Sequence, residues 1–99
     1  MVRLCHTFLG AALWASLLAP PVNRAADIKI ACIGDSITLS SNLGAMTFPA
    51  RLDGLLGAGY VVRNYGVSAT TLLKNGDFPY WRQAQYEQSL EWNPDIVVI

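Results

Sequence analysis

Ile28-Lys29-Ile30-Ala31-Cys32-Ile33-Gly34-Asp35-Ser36-Ile37-Thr38 decides the fold of this chain. Its first six residues form a short apolar run, which is the pattern of a buried strand. Gly34 ends the run and lets the chain turn tightly, so Asp35 and Ser36 follow directly on the strand's carboxyl end. In an open parallel sheet ligands bind beyond that end, which places Ser36 at the expected site. The plainer reading is that Asp35 and Ser36 only cap a turn or helix, as these residue types often do.

Downstream, Phe48, Leu52, Leu55 and Leu56 fall at helical spacing. Thr47 is placed to cap that helix, Pro49 suits its first turn, and Gly57 or Gly59 ends it. Tyr60 to Tyr65 is rich in β-branched and aromatic residues and reads as a second strand. Gly66 to Pro79 reads mostly as loop. Pro79 to Trp92 is expected to be helical, with Tyr86 and Leu90 four apart and Asn93-Pro94 as the breaker. Asp95 then leads into a third strand ending at Ile99. Strands alternating with helices predict parallel βαβ units and an α/β fold.

Upstream, Arg3 precedes an uncharged apolar stretch from Phe8 to Ala19, and Pro20-Pro21 stop it. This is the layout of a secretory signal peptide, about twelve residues being short for a membrane span. Residues 1–26 are expected to be removed, Ala26 suiting the last position, with 27–99 secreted or periplasmic. Cys5 and the single histidine, His6, leave with the signal. Cys32 then has no intrachain partner and reads as a buried core thiol.

The full chain has 99 residues, seven basic and seven acidic side chains, 53% hydrophobic residues and two cysteines. Such a length excludes a large multidomain protein, and two cysteines exclude a disulfide-stapled miniprotein. The apolar content excludes a disordered polar tail. Balanced charge gives no footprint for nucleic acid. No His, Cys or carboxylate cluster has metal-ligand spacing, so neither a metal nor a cofactor is expected. Three strands and two helices cover a parallel sheet poorly, and residues 27–99 lie near the lower size limit for an independent core. They read as the front of a larger domain.

Asn64-Tyr65-Gly66-Val67-Ser68 puts a second glycine at the carboxyl end of the second strand. Neighbouring parallel strands would bring its N–H and Ser36 to one pocket, a geometry suited to a tetrahedral oxyanion. With Gly34-Asp35-Ser36-Ile37-Thr38, Asn64-x-Gly66 and Pro94-Asp95-Ile-Val-Val-Ile in this order, residues 28–99 resemble the GDSL, or SGNH, hydrolase family. The resemblance implies a flavodoxin-like three-layer α/β/α fold with a parallel sheet, of which only the first three strands are present here. It implies Ser36 as nucleophile, with the Ser36 and Gly66 N–H groups in the oxyanion hole. Asp35 is given a supporting role, fixing the Ser36 turn through local backbone N–H groups.

Two family blocks have no counterpart in the chain. A Gly-x-Asn-Asp loop would begin just past Ile99, and an Asp-x-x-His would supply the base much later. The fragment is therefore expected to be inactive alone. Thr71-x-x-Lys74 imitates a Ser-x-x-Lys dyad with the wrong nucleophile and reads as coincidence. Ala69 stands where many members carry a second glycine.

The segment Thr70 to Trp81 is similar to one in secreted bacterial members related to sialate and carbohydrate O-acetylesterases. Tyr80 and Trp81 are either sugar-stacking platforms or, more simply, packing residues. Trp92 reads as a core residue. The implied partner is a small-molecule or carbohydrate ester, with no nucleic acid and no lasting membrane insertion. The alternative function is a non-catalytic flavodoxin-like module whose Gly34–Thr38 turn holds phosphate or FMN, or an esterase fold that only recognises glycans.

Overall fold

A computed structural model describes residues 25–99. The secretion signal expected over 1–26 lies outside the described residues apart from Ala25 and Ala26, which are exposed and belong to no helix or strand.

The chain forms β1 (Ile28–Cys32), α1 (Ser36–Leu39), α2 (Phe48–Leu56), β2 (Tyr60–Asn64), α3 (Ala84–Glu91) and β3 (Ile96–Val98), with short 3-10 turns at Gly44–Met46 and Tyr80–Arg82. The three strands make one parallel sheet in the order β2-β1-β3, flanked by the helices, so the fold is α/β as expected. Ile28 to Cys32 pair with Tyr60 to Asn64, and Ile30 to Cys32 pair with Ile96 to Val98.

β1 is central, paired along both edges, and from Ile30 onward it is also buried on both faces. Ala31 and Ile33 point to one face, where they pack with Tyr65 and Tyr80, and the half-buried Val67, Trp81, Tyr86 and Trp92 surround them. Ile30 and Cys32 alternate to the other face and are buried as well. Burial raises the Cys32 thiol above its ordinary pKa, so it is an inert core group.

α2 follows local capping rules. Thr47 Oγ1 accepts from Ala50 N–H at 3.3 Å, Pro49 lies in the first turn, and Gly57 ends the helix at φ 66°. The face it buries differs from the expected stripe. Pro49 is buried and Leu52 and Leu56 half-buried, whereas Leu55 is 85% exposed and Phe48 41%. At ~100° per residue, positions 49, 52 and 56 share an arc of roughly 60°, and 48 and 55 fall roughly 40–60° beyond its Leu52 edge. This rotation also turns Asp53 toward the sheet edge, where its Oδ1 accepts from Val62 N–H at 3.1 Å.

The expected helix over Pro79 to Trp92 is shorter than its pattern. Gln83 is extended, with φ −92° and ψ 148°, and separates a 3-10 turn from α3. The cause lies upstream: Tyr80 is held by its N–H to Thr71 O and its hydroxyl to Tyr65 O, which sets the first turn before the helix begins.

Candidate active site

Strand order positions the site. The chain leaves β1 for β2 on one side and then crosses β1 to place β3 on the other. The connections therefore diverge between the carboxyl ends of β1 and β3, which is where open α/β sheets hold ligands. An open cleft of about 430 Å³ lies there, lined by Gly34, Asp35, Thr38, Thr70, Leu72 and Ile99 among others. A wider depression of about 680 Å³ lies along Val62–Tyr65, Gln88, Glu91 and Trp92. Its Trp92 ring is covered by the Arg63 guanidinium, 4.4 Å from the ring centroid, which leaves no free stacking face on that side.

Ser36 opens α1 and is exposed. Asp35 is its N-cap, with Oδ1 accepting from Ile37 N–H at 2.9 Å. Gly34 is required ahead of them: its φ is +154°, and a Cβ there would collide with Thr38 Oγ1. Leu39 N–H to Asp35 O and Ser40 N–H to Ser36 O close the single helical turn.

The loop after β2 is fastened to this turn. Val67 N–H donates to Gly34 O at 2.9 Å, and Thr70 Oγ1 donates to Val67 O at 2.8 Å. Gly66 is buried with its backbone against that of α1. A side chain there would collide with Leu39 N and would lie 2.8 Å from Leu39 Cα. The residues expected from the sequence, Asp35, Ser36 and Gly66, thus belong to one neighbourhood.

The Gly66 N–H differs from its expected use. It donates to Asn64 Oδ1 at 2.9 Å, so it already has a partner. The next loop amides, of Ser68 and Ala69, donate to no described residue. Ala69 is held at φ 65°, a conformation that costs a side-chain-bearing residue ~1–2 kcal/mol and that concentrates at functional turns. The sequence marks Ala69 only as standing where many family members carry a second glycine, and its positive φ comes from the structure.

Of the two candidate stacking residues, Tyr80 is fully buried and donates to Tyr65 O at 2.7 Å, so it is a packing residue. Trp81 is half-buried, edge-on to Tyr80 and Tyr86, with Nε1 donating to Leu72 O at 2.9 Å. It stiffens the cleft-lining segment at Leu72. Trp92 is likewise half-buried, 6.0 Å from the Tyr65 ring. Among the described residues no three His, Cys, Asp or Glu side chains gather as a metal site, and no helix is long and apolar enough to cross a membrane.

No family model matches the chain, and no solved structure matches it. A curated acetylxylan esterase of Xylanibacter ruminicola is 43% identical to it over 89 residues. That alignment covers 87% of this chain and 18% of the esterase. In a chain of 99 residues, a span of that extent necessarily contains positions 36, 64 and 66. The chain is therefore similar to an ester hydrolase over most of its own length, while spanning less than a fifth of that relative.

Proposed function

We propose that residues 27–99 are the N-terminal part of a serine ester hydrolase of the SGNH type, acting on O-acetylated carbohydrate. The observation that carries this reading is the position of Ser36: exposed, and opening a turn that Asp35 N-caps and whose Gly34, Asp35 and Thr38 line the switch-point cleft. The similarity to an acetylxylan esterase supports the substrate class. Arg3 followed by the Phe8–Ala19 stretch supports export to the periplasm or beyond.

In this mechanism Ser36 Oγ attacks the ester carbonyl carbon while its proton passes to a general base. The carbonyl π electrons move to oxygen, and the oxyanion is held by the Ser36 N–H and a second loop amide. Because Asn64 engages the Gly66 N–H, the second donor falls to the Ser68–Ala69 pair, and Gly66 serves by letting the loop lie on α1. Collapse of the intermediate expels the alcohol, which takes the proton from the base. Water then cleaves the acyl-serine by the same route. On this reading the general base is a histidine, and residues 25–99 contain none.

The test is a chimera in which residues 27–99 replace the matching segment of the X. ruminicola esterase. It is expected to release acetate from acetylated xylan, and Ser36→Ala to lower kcat at least ~1,000-fold. A folded chimera that is inactive, or one indifferent to Ser36→Ala, would overturn the reading and favour a non-catalytic binding module.

A further inference from the structure

α1 is a single turn of four residues, Ser36–Leu39. Helix nucleation is unfavourable, so a turn this short persists only where its ends are held. Asp35 holds the first end. At the other end the last carbonyls of a helix have no intrahelical N–H to accept from. The Asn64 side chain supplies that partner. Its Nδ2 donates to Thr38 O at 2.7 Å and to Leu39 O at 3.3 Å, from 26 and 25 residues away along the chain. The same carboxamide accepts the Gly66 N–H through Oδ1 at 2.9 Å.

We propose that Asn64 is a positioning residue that locks the Ser36 turn to the Gly66 loop through one carboxamide. The assignment of Ser36 as nucleophile gives the lock its functional meaning and rests on the reading above. The lock itself follows from the bonds. Only a carboxamide of this length offers two donors and an acceptor together. Aspartate keeps the acceptor for Gly66 but sets a carboxylate oxygen against two carbonyls. Alanine removes both halves. The carboxamide's reverse orientation is excluded by the same argument, since it would oppose Oδ1 to Thr38 O and Leu39 O. Displacing a reacting group by ~1 Å costs on the order of 100-fold in rate, so anchoring the turn at both ends is consequential.

The experiment uses two variants, Asn64→Ala and Asn64→Asp, and two readouts. In the 99-residue chain, amide exchange measured by NMR is expected to rise at least ~10-fold at Leu39 and Ser40 in both variants. Gly66 exchange should rise in Asn64→Ala only. The sheet amides of Ile33 and Tyr65, which donate to Val98 O and Cys32 O, should stay unchanged. Acidification through the ordinary carboxyl range, ~pH 5 to 3, protonates the introduced aspartic acid and restores one donor. The Leu39 and Ser40 exchange of Asn64→Asp should then return toward that of the unsubstituted chain at the same pH, a recovery that general destabilisation does not give. If Asn64→Ala does not fold, Asn64→Asp and its pH recovery carry the test.

In the esterase chimera, Asn64→Asp should lower kcat at least ~10-fold with KM within about twofold. Unchanged exchange at Leu39 and Ser40 in the variants, or uniform acceleration without acid recovery, overturns the lock. Local acceleration with unchanged hydrolysis overturns its role in positioning Ser36. Local acceleration with no hydrolysis by the unsubstituted chimera leaves the lock standing and defeats the esterase reading instead.

Discussion

The backbone of Gly66 lies directly on the backbone of Leu39, so closely that no side chain fits between them. This contact joins the end of β2 to the turn that follows β1. Gly66 is not needed for its φ, which is ordinary, but for its missing Cβ. Gly66→Ala must push α1 away, and overpacking of this kind typically costs ~1–3 kcal/mol. Denaturant titration of the variant should show a loss in this range. A loss below ~0.5 kcal/mol would mean that α1 and the loop separate freely.

Asp35 provides the opposite anchor, and its value is that of an N-cap. Asp35→Ala removes the acceptor for Ile37 N–H and is expected to cost ~0.5–2 kcal/mol, whereas Asp35→Asn keeps an oxygen in place and should cost much less. The two variants compared by urea denaturation separate the cap from the charge. Equal losses in both would assign the effect to the carboxylate's charge rather than to its hydrogen bond.

What the sequence made legible was local. The Ile28–Ile33 run, Gly34 and the Thr47, Pro49 and Gly57 signals each act within a few residues, and β1, its turn and α2 appear where those signals put them. The buried arc of α2 was not legible, because the partner that selects Pro49, Leu52 and Leu56 over Phe48 and Leu55 is β2. The 3-10 turn at Tyr80 was hidden for the same reason, its hydroxyl reaching Tyr65 O fifteen residues away. At the site, the Ser36 turn was visible in its residues. The engagement of the Gly66 N–H by Asn64 was not, since it depends on an Asn64 rotamer that also satisfies Thr38 and Leu39.

The two edges of the sheet are treated differently, and this has a consequence in solution. β2 carries Arg63 and Asn64 toward its end, and Asp53 covers its Val62 N–H. β3 instead exposes Ile96 at 45% and Val97 at 49%, with Ile99 just beyond it at 73%. An apolar strand at an open edge is a template for pairing with another chain. The isolated 99-residue chain is expected to self-associate with rising concentration, and Val97→Lys to suppress that association. Sedimentation velocity over a concentration series checks this. Association of equal strength in the variant would place the contact elsewhere.

Tyr80 makes stability sensitive to alkali. Its phenol is fully buried, and burial, with a smaller contribution from Tyr65, pushes its pKa from 10.0 up to about 12. The unfolded chain therefore releases this proton first as pH rises. The stabilisation is complete below ~pH 10 and is lost progressively as pH passes 10 and approaches 12, by on the order of 2–3 kcal/mol. Tyr80→Phe removes this dependence but also the 2.7 Å bond to Tyr65 O, which costs ~1–2 kcal/mol near neutrality. Cys32 contributes an alkaline loss of the same sign, present in both proteins, so it cancels in their difference. Unfolding free energies measured from pH 8 to pH 12 should converge, with Tyr80→Phe weaker at the neutral end and level with the unsubstituted chain, or above it, at the alkaline end. Parallel curves across that range would show that the Tyr80 phenol ionises as readily in the folded chain as in the unfolded one.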